Sequence, residues 1–164
     1  MILYHGTNCS IDRVDLDKCR PFKDFGKGFY LTTIKEQAEK MAIRVSKIYG
    51  GNPVVNIFGL DLENLSQCNT KKFYGPSEEW ARFVINNRNG ENTGGDDNSD
   101  NKYDVVIGPV ANDDLALLFR QFSSGMITVD TLIKEMKYKK LTDQYSFHTE
   151  NAIRFLTKES ECNV

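Results

Sequence analysis

The chain has 164 residues, enough for one domain with a sizeable core and too few for two. A formal charge of −2 and a pI near 5.7 argue against a strong duplex-DNA binder, which needs a broad basic field. Apolar residues at 40% exclude a disordered chain, and no apolar run approaches the roughly 18 residues of a membrane span.

The N-terminal "MILYHGTN" has no basic region before a long apolar run, so no signal peptide is expected. Residues 2–5, "ILYH", read as a first strand ended by Gly6. Residues 11–25 are charged and irregular, broken by Pro21. "GFYLTT" reads as a second strand, with Thr33 placed to cap a helix over 34–48. That helix carries Ala38, Met41, Ala42, Val45 and Ile48 at helical spacing. "PVVNIFGLDL" at 53–62 is rich in β-branched and aromatic residues and reads as a strand.

Ser77 is a good N-cap for a helix in which Glu78 and Glu79 occupy the first turn and Trp80 and Val84 face the core. Residues 89–102 hold no hydrophobic side chain and four acids against one lysine, which predicts a flexible acidic surface loop. "YDVVIGPV" at 103–110 reads as a strand, followed by helices over 112–123 and 128–138. "QYSFHT" reads as a last strand and 150–158 as a closing amphipathic helix. Strands and helices are interspersed without regular βαβ alternation. The expected class is a single α+β domain over 1–164 with a mostly antiparallel sheet.

Cys9, Cys19, Cys68 and Cys162 form no Cys-x-x-Cys pair, and only His5 and His148 are present to join them. That falls short of a zinc pattern, so no metal is expected and the thiols are read as reduced, in a cytoplasmic protein without a membrane partner. "GKG" at 26–28 is not a phosphate loop, since no Gly-Lys-Ser/Thr follows a spaced glycine. A strand follows where a dinucleotide fingerprint needs a helix. The run Asp96-Asp97-Asn98-Ser99-Asp100 lacks the glycine and terminal Glu of a calcium loop.

Three segments together carry chemistry: His5-Gly6-Thr7 closing the first strand, Gly26-Lys27-Gly28-Phe29-Tyr30 opening the second, and Asp143-Gln144-Tyr145 opening the last. Their order resembles the diphtheria-toxin and poly(ADP-ribose) polymerase branch of the ADP-ribosyltransferase superfamily. Those enzymes carry His-Gly-Ser/Thr, Gly-x-Gly-x-Tyr and a third motif with Glu. The chain over about residues 1–158 also resembles a bacterial family of domains of unknown function, number 3990, placed in that superfamily. The resemblance implies an ADP-ribosyltransferase-like fold with a split sheet, NAD as co-substrate, and a mono-ADP-ribosyltransferase of His-Tyr-Gln type. It further implies a bacterial toxin or effector, held in check by a small antitoxin protein, that modifies a protein or nucleic-acid acceptor.

NAD joins a cationic nicotinamide to ribose, and breaking that N-glycosidic bond passes through an oxocarbenium-like state. The Tyr30 ring suits the flat cation, and glycine at 26 and 28 permits close backbone approach to a ligand. By resemblance, Gly6 pairs its main chain with the carboxamide, Thr7 adds a hydroxyl, and His5 bonds a ribose hydroxyl. Among Arg20, Lys23 and Lys27 in the intervening loop, Arg20 is chosen to face the pyrophosphate for its bidentate geometry.

Gln144 departs from the family's Glu, keeping the hydrogen bond and losing the charge. The loss, about tenfold or more in rate, argues against polymer synthesis and for single transfer or slow NAD hydrolysis. Glu78 and Glu79 are the fallback carboxylates, and His148 shares a strand face with Gln144. Taken singly, each of these residues has an ordinary structural role. A non-catalytic module that binds NAD or ADP-ribose is the alternative. Lys71, Lys72, Lys137, Lys139 and Lys140 are the only basic clusters that would serve a nucleic-acid acceptor.

Overall fold

Short β-rich segments separated by glycine and charged loops favour pairing over long helices, and the N-terminal segment becomes the hub of the pairing. The computed structural model describes residues 1–90, 93–139 and 141–164. Strand β1 (Ile2–Thr7) is joined by β2 (Phe29–Thr32), β3 (Val54–Leu60), β4 (Thr70–Lys72), β5 (Val105–Pro109), β6 (Asp143–Phe147) and β7 (Leu156–Asn163). They form one seven-stranded sheet in the order β4-β5-β6-β2-β1-β3-β7. β4 runs parallel to β5, and the other neighbours are antiparallel. Helices α1 (Lys35–Tyr49), α2 (Glu78–Asn89), α3 (Asp113–Ser123), α4 (Val129–Met136) and α5 (Glu150–Ile153) flank it, so the class is α+β with a mixed sheet.

The closing helix expected over 150–158 is a single turn, α5, followed by the edge strand β7 on β3. Half-burial alternates at Leu156 and Lys158, a period of two that only the pairing with β3 makes decisive. β4 is an unforeseen three-residue edge strand.

Strand alternation divides the core. Leu3, Phe29, Leu31, Phe58, Val105, Ile107 and Phe147 pack on one face against α5 and the loops. The other face holds two separate clusters. One joins α2, α3 and α4 through Trp80, Phe83, Val84, Leu115, Phe119 and Leu132. The second joins α1 to β1 and β3 through Ala38, Ala42 and Val55.

The α1 cluster is small because the helix lies almost on the strand. A Cβ on Gly6 would stand 1.8 Å from the Ala38 carbonyl oxygen, so only glycine lets α1 approach so closely. Of the expected apolar stripe, Ala38 and Ala42 are buried, while Met41 and Ile48 face solvent. The helix begins after Ile34, whose N–H is met by the Thr32 hydroxyl rather than by Thr33. Ser77 caps α2 as its sequence suggests, accepting from the Trp80 N–H at 3.1 Å.

Helix α2 is buried nearly all round, with Asn86 and Asn87 among its covered residues. Residues 93–102, expected as part of a flexible acidic surface loop, form no helix or strand and are mostly exposed, and Thr93, Gly94, Asp96 and Asn98 among them are hydrogen-bonded to α2. Asn86 Oδ1 accepts from the Thr93 N–H at 2.9 Å and hydroxyl at 2.8 Å, and its Nδ2 donates to the Gly94 and Asp96 carbonyls. Asn87 Oδ1 accepts from the N–H of Asn98, which is fully buried. Residues 91 and 92 of that stretch lie outside the described residues. Composition did not foresee this, because its buried partners are two polar side chains on a helix.

Two stability changes follow from these contacts. Gly6→Ala should cost about 3 kcal/mol, because the added methyl meets helix backbone rather than a side chain that can turn away. Asn86→Ala should cost about 2 kcal/mol by leaving several loop groups without their partner. Urea unfolding midpoints measure both.

Candidate functional site

The site begins with a question of which way β1 directs its backbone. The Leu60 N–H donates to the Met1 carbonyl at 2.9 Å, so the odd residues of β1 turn their peptide groups toward β3. The even residues, Tyr4 and Gly6, therefore turn theirs toward β2. β1 pairs with β3 over six residues but with β2 only at Tyr4↔Thr32. Continued by two residues, that register would set Gly6 against Tyr30, and the pairing stops before it. The ladder ends there, and the N–H and C=O of the buried Gly6 are directed toward β2 beyond its last bridged pair.

His5 bridges the parted strands. Its Nδ1 lies 2.7 Å from the Tyr30 carbonyl oxygen, and its ring rests on Phe29 with centroids 4.3 Å apart. A carbonyl only accepts, so Nδ1 carries the proton and Nε2 presents a lone pair. Nε2 has no partner among the described residues and is not sealed from solvent. Burial lowers the His5 pKa against the opposing bond to Tyr30, which keeps the ring neutral at pH 7. The Thr7 hydroxyl donates to Asn8 Oδ1 at 3.3 Å, a long bond that a ligand group displaces at little cost.

The Tyr30 phenol closes its own loop, donating to the Gly26 carbonyl at 2.7 Å and accepting from the Phe25 N–H at 3.0 Å. Burial raises its pKa well above the usual tyrosine value, so it stays a neutral donor. Phe25 stacks on the ring at 6.4 Å, and His148 meets it edge-on at 6.2 Å.

The glycines before Tyr30 serve packing. Gly26 takes φ 91°, and a Cβ on Gly28 would stand 2.6 Å from His148 Nδ1. The space where a Gly28 side chain would stand is thus taken by His148, which gives the glycine a packing role of its own. Arg20 donates to the Tyr49 hydroxyl at 2.6 Å, with its guanidinium 4.4 Å over that ring. This anchors it at the C-terminal end of α1, where the Gly50 carbonyl accepts from Asn8 Nδ2 next to Thr7.

Gln144 lies on β6 opposite Thr32, on the same face as Tyr30 and Gly6. Its Nε2 donates to Asp24 Oδ2 at 2.9 Å. Asp24 is 8% exposed and also receives the Ala111 N–H at 3.0 Å and the Arg88 guanidinium at 2.7 Å. Because a carboxylate only accepts, the amide nitrogen of Gln144 faces inward and Oε1 outward. Oε1 has no partner among the described residues and is open to solvent.

Asp24 and Arg88 are the site residues that sequence reasoning missed. The signal was an acid in the "KDFGKGFY" segment and an arginine in the last turn of a helix, ordinary features until they meet. Glu78 and Glu79, the fallback carboxylates, pair with Arg82 and Lys71 at the other end of α2, about 15 Å along the axis from Arg88.

His148 is a buried structural residue rather than a cleft-lining one. Its Nδ1 donates to the Lys27 carbonyl at 2.8 Å, and Nε2 lies 2.8 Å from the Ser146 hydroxyl. Lys71 is held by Glu79 and Asp96, and Lys139 by Asp114, while Lys140 lies outside the described residues. A cavity of about 530 Å³ opens beside Met1, Leu60 and Phe155 and holds none of the motif residues. No helix among the described residues is long and apolar enough to cross a membrane.

A protein family described as "Protein of unknown function (DUF3990)" matches residues 1–157 of the chain. No curated protein and no solved structure matches it.

Burial lowers the His148 pKa from 6.5 to about 4. Between those values the unfolded chain holds a proton that the folded chain refuses, so this contribution is complete above 6.5 and declines as pH falls toward 4. The loss between about pH 7.5 and about pH 5 should be about 2 kcal/mol, and His5 adds to it with the same sign. His148→Asn should flatten the acid limb of the stability profile, read by urea unfolding at the two pH values.

Proposed function

The chain belongs to that family, and we propose that it is an NAD-dependent mono-ADP-ribosyltransferase acting on a macromolecular acceptor. The observation that carries this reading is the parting of β1 from β2 after one residue pair, with Gly6 and Tyr30 set across the opening. Nicotinamide entering there meets the Gly6 N–H and C=O with its carboxamide, the Thr7 hydroxyl beside them, and the Tyr30 ring with its face. The cationic ring gains from the aromatic face, and the gain fades as nicotinamide leaves neutral, so Tyr30 serves binding more than turnover. His5 Nε2 accepts from one ribose hydroxyl and Gln144 Oε1 from another.

In the reaction the bond between C1′ and the pyridinium nitrogen breaks, and its electron pair stays with nicotinamide. The oxocarbenium carbon then takes a lone pair from the acceptor, whose proton passes to solvent. With water as acceptor, the products are ADP-ribose, nicotinamide and a proton. A neutral amide at the third position supports this step more weakly than a carboxylate, which fits single transfer or slow hydrolysis. The second reading is a module that binds NAD or ADP-ribose without turnover, favoured by the absence of a carboxylate at 144 itself.

Two measurements test the proposal. Tyr30→Ala should weaken NAD binding by about 1–2 kcal/mol in calorimetry, the scale of an aromatic–cation contact. Tyr30→Phe keeps the ring, so it should retain most of the affinity while losing the stability of the loop bonds to Phe25 and Gly26. Nicotinamide release from labelled NAD should be detectable for the wild type. Binding without any release would leave the module reading in place of the enzyme.

A further inference from the structure

We infer that Asp24 is a positioning residue for the reaction, returning to the third site through Gln144 the negative charge that a Glu there would have carried. The inference rests on the transferase reading. Gln144 Nε2 and Asp24 Oδ2 are 2.9 Å apart, and the carboxylate is bound from three further directions by Arg88 Nε and Nη2 and the Ala111 N–H. This has two consequences for the amide. Its rotation is locked, because turning Oε1 inward would set two acceptors against each other. Its oxygen is also a better acceptor, because a hydrogen bond from Nε2 to an anion draws electron density toward Oε1. The dyad therefore presents a preorganised acceptor at the opening, where positive charge develops on the ribose. Arg88 holds the carboxylate in place and tempers its field.

The same contact changes what a glutamate at 144 would do. Gln144→Glu sets two carboxylates at hydrogen-bond distance, and like charges so close hold one of them protonated. Asp24→Asn together with Gln144→Glu exchanges the two ends of the bond, with Asn donating and Glu accepting, at the cost of the Ala111 N–H, which shares Asp24 Oδ2 with Gln144 and loses its acceptor.

The test is nicotinamide release by the wild type, Asp24→Asn, Gln144→Glu and the double variant, each followed from about pH 5.5 to about pH 8.5. Asp24→Asn should lower kcat about tenfold with KM for NAD within about twofold, as expected for an interaction made mainly in the transition state. Gln144→Glu should lose activity and gain an ionisation in this range that the wild type lacks. The double variant should recover to at least the wild-type rate and lose that ionisation. Release by the wild type with kcat unchanged in Asp24→Asn overturns the inference alone, as does a double variant no better than the two losses combined. Should Asp24→Asn fail to fold, the Gln144→Glu arm decides, since a rate that rises with no new ionisation means Asp24 does not act at this position. No release from the wild type overturns the transferase reading and this role with it.

Discussion

A carboxylate shut away from water has to be met by donors, and the arrangement of this protein around its sheet opening follows from how Asp24 is met. Its donors come from the last turn of α2, from the residue chain leading into α3, and from β6. Asp24 itself sits in the connection between β1 and β2. Removing one partner of such a buried pair costs about 3–5 kcal/mol, because the remaining charge is stranded. Four segments distant in sequence are thereby held in one geometry, and the next residues, Phe25 and Gly26, are delivered to the Tyr30 hydroxyl. The loop that walls one side of the opening is fixed from below by charge and from within by the tyrosine.

The opening also reflects how the two halves of one sheet face are packed. Over β1 and β3 the spacing is set by Gly6, Ala38 and Ala42, which bring helix backbone onto strand backbone. Over β5 it is set by Trp80, Phe83 and Phe119, which hold their helices away from the sheet. Two spacings so different do not merge into one continuous core. The boundary between them falls at the β1–β2 junction, where the pairing itself has been reduced to Tyr4↔Thr32.

The two histidines show how hydrogen-bond inventory separates structure from chemistry. His148 uses both ring nitrogens inside the protein and lies against Gly28, so its place is fully accounted for by packing. His5 uses one nitrogen to span the gap and leaves the other facing outward. A neutral imidazole so placed is oriented without being consumed, as a ligand-binding group needs to be. Gln144 repeats the pattern, with its nitrogen spent inward and its oxygen left over.

Local chemistry determined much of this protein. The β-branched runs became β3 and β5 and Ser77 capped α2, while His5, Gly6, Thr7, Tyr30 and Gln144 were grouped only by the resemblance of their order to a family's motifs. What sequence could not determine were pairings whose partners lie far apart in the chain. Leu156–Asn163 has no strong preference of its own and became a strand because β3 had a free edge. Thr93, Gly94, Asp96 and Asn98 were tied to α2 because Asn86 and Asn87 offered buried amides. Gly28 makes room for a histidine 120 positions later, and Gln144 finds its carboxylate at the same separation, |i−j| = 120. A hydrogen-bonding side chain carries no local mark of its partner, so its geometry was decided only when tertiary packing excluded water and left one group able to answer it.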